Sequence, residues 1–149
     1  MTTATANRTS AAEIQSLMDS WLRAVKAMDV EQIMSHYAHD LLAFDAVSQL
    51  QFKGAEAYGK HWRTCMALCP GPTIFEVHDS EITAGDDVAF AHYLIRCGGI
   101  DDETSEERAS WMRGTVCFRK ISGEWKIVHE HFSVPFEMES NKALLDLQP

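Results

Sequence analysis

The stretch WMRGTVCFRKISGEWKIVHEHFSV, residues 111–134, decides the fold. It holds two long runs of β-branched and aromatic residues, Trp111–Ile121 and Trp125–Val134, broken only by Ser122-Gly123-Glu124. Two such runs around a short glycine-containing turn read as a β-hairpin. Upstream, Ile74–Ile82 and Val88–Cys97 repeat that character, with Gly85-Asp86-Asp87 as their turn. Gly98–Arg108 lies between the middle two runs. Its Asp101, Asp102, Glu103, Glu106 and Glu107 predict a solvated loop. The second half of the chain therefore reads as a meander of four antiparallel strands.

The first half has a helical period. Residues 1–9 are small and polar and read as a disordered tail. Ser10 and Glu13 fit a capping box. Ile14, Leu17, Met18, Trp21, Leu22, Val25 and Met28 then recur at steps of three and four, predicting a helix near 11–27. Asp29 and Gln32 open a second helix over 30–38 that carries Ile33, Met34 and Tyr37. Leu41 to Asp45 reads as a short strand. A third helix near 55–68 shows Tyr58, Trp62, Cys65 and Met66 on one face, and Cys69-Pro70-Gly71-Pro72 stops it. Three helices followed by long strands make an α+β fold, with the helices packed against one strongly curved antiparallel sheet. Such a cone has an open end where a cavity forms. The domain spans residues 10–136 and leaves 137–149 as a C-terminal tail. A long apolar outer sheet face predicts a homodimer.

Composition narrows the function. The 149 residues suit one domain. With 13 basic and 22 acidic residues the net charge is −9, which disfavours nucleic acid and anionic membrane surfaces as partners. No apolar run approaches the ~18 residues of a membrane span. MTTATANRTS has no secretory h-region. Cys65, Cys69, Cys97 and Cys117 read as free thiols, so a cytoplasmic location is expected. There is no dinucleotide fingerprint, phosphate-cradling loop or G-x-S-x-G, and no organic cofactor is expected. His129 and His131 form an H-x-H that Asp45 or His92 would have to complete; that signal is weak, and no metal is assigned.

Chemistry-bearing residues gather on the strands. Alternation puts Trp125, Ile127, His129, His131 and Ser133 on one face, running from packed core to a polar pocket mouth. His131 and Ser133 either enter the pocket or satisfy buried backbone groups, and His129 fits the surface equally well. Trp111, Arg113 and Thr115 share a face of the preceding strand. A cation among aromatics needs a partner, and Asp45, after the apolar Leu41-Leu42-Ala43-Phe44, is the natural one. That pair is either structural, or Asp45 is a base whose pKa is set by burial and Arg113. Phe44, Trp62, Trp111 and Tyr93 supply aromatic walls suited to a small apolar or aromatic molecule, with His92 and Arg96 opposite Tyr93.

Trp21-x-x-Ala24, Met28-Asp29-Val30, Tyr37-Ala38-x-Asp40, Phe44-Asp45, Gly54-x-x-x-Tyr58, Trp62 and Gly123-x-Trp125-Lys126-Ile127-Val128-x-x-His131-x-Ser133 resemble the nuclear transport factor 2-like superfamily. Within it the chain is similar to the SnoaL-like, ketosteroid isomerase-like proteins over about residues 11–136. The resemblance implies a cone-shaped, cystatin-like roll, often dimeric. It implies Asp45 as a proton-shuttling base, and Asp45 with His131 as the acid–base pair of the cyclase branch. Trp21 stands where steroid isomerases carry a tyrosine donor, and their second donor, an acid, falls near Arg113 or Thr115. Two functions follow. One is an acid–base isomerase, cyclase or lyase acting on an apolar carbonyl compound, with Arg113 and Trp21 or Ser133 stabilising the enolate. The other is a non-catalytic ligand-binding or dimerising accessory domain.

Overall fold

The β-rich half folds as the turns dictate. In the computed structural model, which describes residues 3–69 and 73–149, β3 (Thr73–Ala84), β4 (Val88–Ile100), β5 (Glu107–Ile121) and β6 (Glu124–Ser133) pair consecutively and antiparallel. The first half supplies α1 (Thr3–Lys26), α2 (Val30–Met34), β1 (Tyr37–Phe44), β2 (Phe52–Lys53) and α3 (Ala55–Ala67). β1 joins the far edge of the meander, parallel to β6, and β2 pairs antiparallel to β1. The six strands run β2-β1-β6-β5-β4-β3. The sheet is therefore mixed at one edge and antiparallel across the four long strands. Bulges interrupt the β3–β4 and β5–β6 ladders, and bulges bend a sheet. The core lies between the concave face and the helices, with Ile14, Trp21 and Val25 of α1, Tyr58 of α3, and Tyr93, Ile95, Val116 and Phe118 of the sheet.

Several boundaries differ from the sequence reading. α1 begins at Thr3, so residues 3–9 are helical, and residues 1 and 2 lie outside those described. Ser10 is a buried interior position of that helix and caps nothing. Glu13 instead accepts a 2.6 Å hydrogen bond from the Trp125 indole N–H. The second cap holds, because Gln32 N donates to Asp29 Oδ1 at 3.0 Å. α2 stops after Met34, and Tyr37 starts β1 opposite Ile127. The expected stop at Pro70-Gly71-Pro72 lies outside the described residues. The acidic loop shortens to 101–106, since Gly98–Ile100 pair with Glu107–Ala109. A Cβ at Gly98 would run into the Arg108 carbonyl oxygen, so glycine permits that close pairing. The C-terminal segment folds back on itself. Phe136 bridges to Ala143, and Leu144 N donates to Pro135 O at 2.8 Å.

The faces of the sheet carry the main correction. The ladder passes from Phe118↔Ile127 to Cys117↔His129, which leaves Val128 as an extra residue. One inserted residue inverts every later side chain. Trp125 and Ile127 point into the core as expected, but beyond the bulge Glu130 and Phe132 are the buried residues. His129, His131 and Ser133 therefore face outward. Their ladder partners Cys117, Thr115 and Arg113 do the same, while Val116 and Gly114 between them are buried. The outer face is not a continuous apolar surface, because it bears Glu76, Arg96 and Glu107 as an ion-paired trio alongside His78, Arg113 and His131. Among the described residues no helix is long and apolar enough to cross a membrane.

Candidate functional site

The open end of the cone holds a cavity of about 380 Å³, within the range of small-molecule sites. Met28 just after α1, Trp62 and Met66 of α3, Phe75 and Met112 of the sheet, and Phe132 beyond the bulge form apolar walls. Met28 takes a left-handed φ of 55°, which turns the chain after α1 and brings its side chain to the lining. Val47, Cys69 and Leu145 are the exposed members of the lining and mark the mouth. Among the described residues no lysine or arginine lines the cavity.

Its polar end is Asp45 and His61. Asp45 follows the last β1 residue, and its side chain turns inward, like that of buried Ala43 two residues before it. His61 sits one turn after Tyr58 on α3 and is 94 % buried by its 6 % side-chain exposure. His61 Nε2 lies 2.8 Å from Asp45 Oδ2. A carboxylate accepts, so Nε2 carries the proton. The ring stacks on Phe52 at 4.1 Å and is thereby held in plane. Asp45 Oδ1 has no hydrogen-bond partner among the described residues. The Cys65 Sγ lies 3.8 Å from His61 Nδ1 and 3.6 Å from Nε2. Burial, aided by the Asp45 charge, pushes that thiol up. Ser110 and Thr73 bring hydroxyls to the lining.

Of the nine residues expected at the site, the structure brings Asp45 and Trp62 to this cavity. Asp45 pairs with His61, not Arg113, whose Nε donates to Ser133 Oγ at 3.1 Å on the outer face. His131 is exposed there, edge-on to Phe44 at 5.5 Å. Trp111 packs against His78 on the same face, at 4.9 Å. The inversion at Val128 accounts for His131 and Ser133; Arg113 and Trp111 follow, as they share the outward parity of β5. Trp21 and Tyr93 are inward but belong to the core. The Trp21 indole N–H donates to Tyr37 Oη at 2.9 Å. The Trp62 Nε1 is buried without an acceptor among the described residues, with the ring edge-on to Trp21 and Tyr58.

Sequence reasoning missed two groups. His61 shares the helical stripe of Tyr58, Trp62 and Cys65, so its spacing was available. Glu130 was hidden by the bulge. It is 1 % exposed, and its carboxyl accepts from Tyr37 Oη at 2.8 and 3.0 Å and from Tyr58 Oη at 2.7 Å. Burial pushes its carboxyl up from 4.5 to about 7, against the lowering effect of the two tyrosine donors.

Comparison with known proteins places this architecture. Nothing among curated proteins matches the chain. Among solved structures it is similar to an NTF2-like protein of unknown function from Pseudomonas putida, at 45 % identity, TM-score 0.89, covering 95 % of this chain and 98 % of that one. It shares its fold with a ketosteroid isomerase-like protein from Erwinia carotovora, at 14 % identity, TM-score 0.69, covering 83 % and 95 %. The association domain of C. elegans CaMKII has the same fold at 16 % identity, TM-score 0.69, covering 85 % and 97 %. The model of the SnoaL-like domain matches residues 14–137, which takes in the α1 core face, the whole sheet and the described cavity lining apart from Leu145. The chain therefore belongs to the SnoaL-like family of the nuclear transport factor 2-like superfamily.

Proposed function

We propose that the cavity binds a small, neutral, apolar carbonyl compound and that Asp45 moves a proton at the carbon beside the carbonyl. One observation carries this reading: Asp45 presents an oxygen without a partner at an otherwise apolar cavity while its other oxygen is held by buried His61. A structural acid has both oxygens occupied; a base needs one free lobe within reach of substrate. His61 orients Asp45 and shares the proton. The Ser110 and Thr73 hydroxyls are the neutral donors available to the enolate oxygen. Arg113, Ser133 and His131 take no part, and an anionic substrate finds no lysine or arginine among the described lining residues. We also infer that the protein is a homodimer; in support, one protein of the same fold is an association domain.

The test is deuterium uptake from D2O at the α-carbon of 2-tetralone, followed by NMR. The parent protein should accelerate uptake, and Asp45→Asn should lose ~10²–10⁴ of that acceleration while still binding 2-naphthol. Binding without any acceleration in the parent would instead establish a non-catalytic pocket. Light scattering at tens of micromolar reads the dimer, and a monomer there refutes it.

A further inference from the structure

We propose that Cys65 is a second reactive group of this cavity, a nucleophile that adds to a neutral, apolar α,β-unsaturated carbonyl compound. Three features meet on one turn of α3. Four-residue spacing sets Cys65 one turn beyond His61, and its Sγ lies within 3.8 Å of the ring nitrogens. Asp45 holds His61 through Nε2 at 2.8 Å. An imidazole that donates through Nε2 can accept through Nδ1, and the sulfur lies nearly equidistant from the two nitrogens, 3.8 Å from Nδ1 and 3.6 Å from Nε2. A nucleophile beside a base that a third group orients is the arrangement that activates a side chain. The thiol faces an apolar cavity rather than bulk water.

The other thiols lack this setting. Cys69 is exposed at the mouth. Cys97 donates to Met112 Sδ at 3.5 Å, and Cys117 faces outward on β5. None of the three has an imidazole within hydrogen-bond reach among the described residues. Burial keeps the resting Cys65 group a neutral thiol. It becomes nucleophilic as it gives up its proton, which protects it from polar reagents that seek exposed thiolates. With no lysine or arginine among the described residues of the lining, the cavity offers anionic electrophiles no such partner.

The addition balances without an oxidant. The S–H proton passes to His61 Nδ1, and sulfur bonds to the β-carbon. The π pair moves onto the carbonyl oxygen as an enolate, and the proton returns from His61 to the α-carbon. The product is a thioether equal to protein plus electrophile, with no leaving group. This step shares the cavity with proton transfer by Asp45 but needs the sulfur, which deuterium exchange does not.

The full-length protein is incubated with benzylideneacetone and, separately, with iodoacetate, and followed by intact mass and peptide mapping. Benzylideneacetone should label Cys65 before Cys69, and 2-naphthol should slow it by occupying the cavity. Iodoacetate should prefer Cys69. His61→Gln should slow labelling of Cys65 by about 10²-fold, the worth of a general base. Cys65→Ser should abolish the first adduct. The order of Cys65 and Cys69 within the parent chain reads the assignment even where a variant fails to fold. Labelling of Cys69 first, or equal rates at Cys65 with and without His61, would overturn it. Deuterium exchange that proceeds while Cys65 stays unlabelled refutes the thiol's role alone; a labelled Cys65 without exchange refutes the role of Asp45 alone.

Discussion

Replacing Glu130 with glutamine should change how stability depends on pH. In the folded state the carboxyl is sealed between Tyr37 and Tyr58, and burial raises its pKa from 4.5 to about 7. The sign follows from linkage. Below pH 4.5 the group is protonated both folded and unfolded and contributes no difference. Between 4.5 and about 7 the unfolded chain releases the proton and the folded one keeps it, so stability falls as pH rises. Above 7 the loss is complete. At 1.36 kcal/mol per unit, this amounts to about 3 kcal/mol, or roughly 6–12 °C in Tm for a domain this size. Glu130→Gln keeps the acceptor oxygen for the tyrosines and cannot ionise. Its amide N–H groups cost something, but equally at every pH. The assay is thermal unfolding of both proteins from pH 4.5 to 8. The stability of the parent minus that of the variant should drop by about 3 kcal/mol across that range; other carboxylates cancel in the difference. A difference that stays flat would refute the reasoning, because Glu130 would then not titrate within the range.

Other perturbations read other parts of the structure. Leu145→Ala removes an apolar member of the cavity mouth that is 51 % exposed; it should weaken 2-naphthol binding about fivefold by fluorescence titration and leave Tm within a degree or two. Gly114→Ala should cost about 1–3 kcal/mol in urea unfolding, because the new Cβ would sit 2.5 Å from the ring of buried Tyr93. His131→Ala should leave both deuterium exchange and Tm unchanged, since the side chain is exposed on the outer face; a loss of exchange would restore His131 to the site. His61→Gln should reduce exchange by ~10-fold or more without displacing bound 2-naphthol, and equal loss of binding and exchange would make His61 a wall rather than a partner of Asp45.

What the sequence disclosed depended on whether the signal was local. The hairpins at Gly85 and Ser122-Gly123, the helical stripe from Ile14 to Val25 and the Asp29 cap are each written within a few residues, and each formed. Ser10-x-x-Glu13 was equally local, but Glu13 found a better donor in the Trp125 indole from the opposite end of the chain. Tyr37 fitted a helical period, but its hydroxyl is needed at Glu130, and the chain enters β1 instead. The bulge at Val128 leaves no mark in the alternation pattern. That one residue exchanged the inward roles of Glu130 and Phe132 with the outward ones of His131 and Ser133. It thereby moved most of the expected polar site to the wrong side of the sheet. Asp45 follows β1, outside that ladder, and lines the cavity with His61 as its partner in place of Arg113.

The central claim is that ligand chemistry happens inside the cone, at Asp45, and the position of a bound ligand tests it most directly. A crystal structure of the protein soaked with 2-tetralone should show the bicycle between Met28, Trp62, Phe75 and Met112, with its α-carbon about 3–3.5 Å from Asp45 Oδ1, the separation of reacting atoms poised to exchange a proton. Ligand density on the outer face beside Arg113, His131 and Ser133, or an empty cavity at saturating 2-tetralone, would contradict the account.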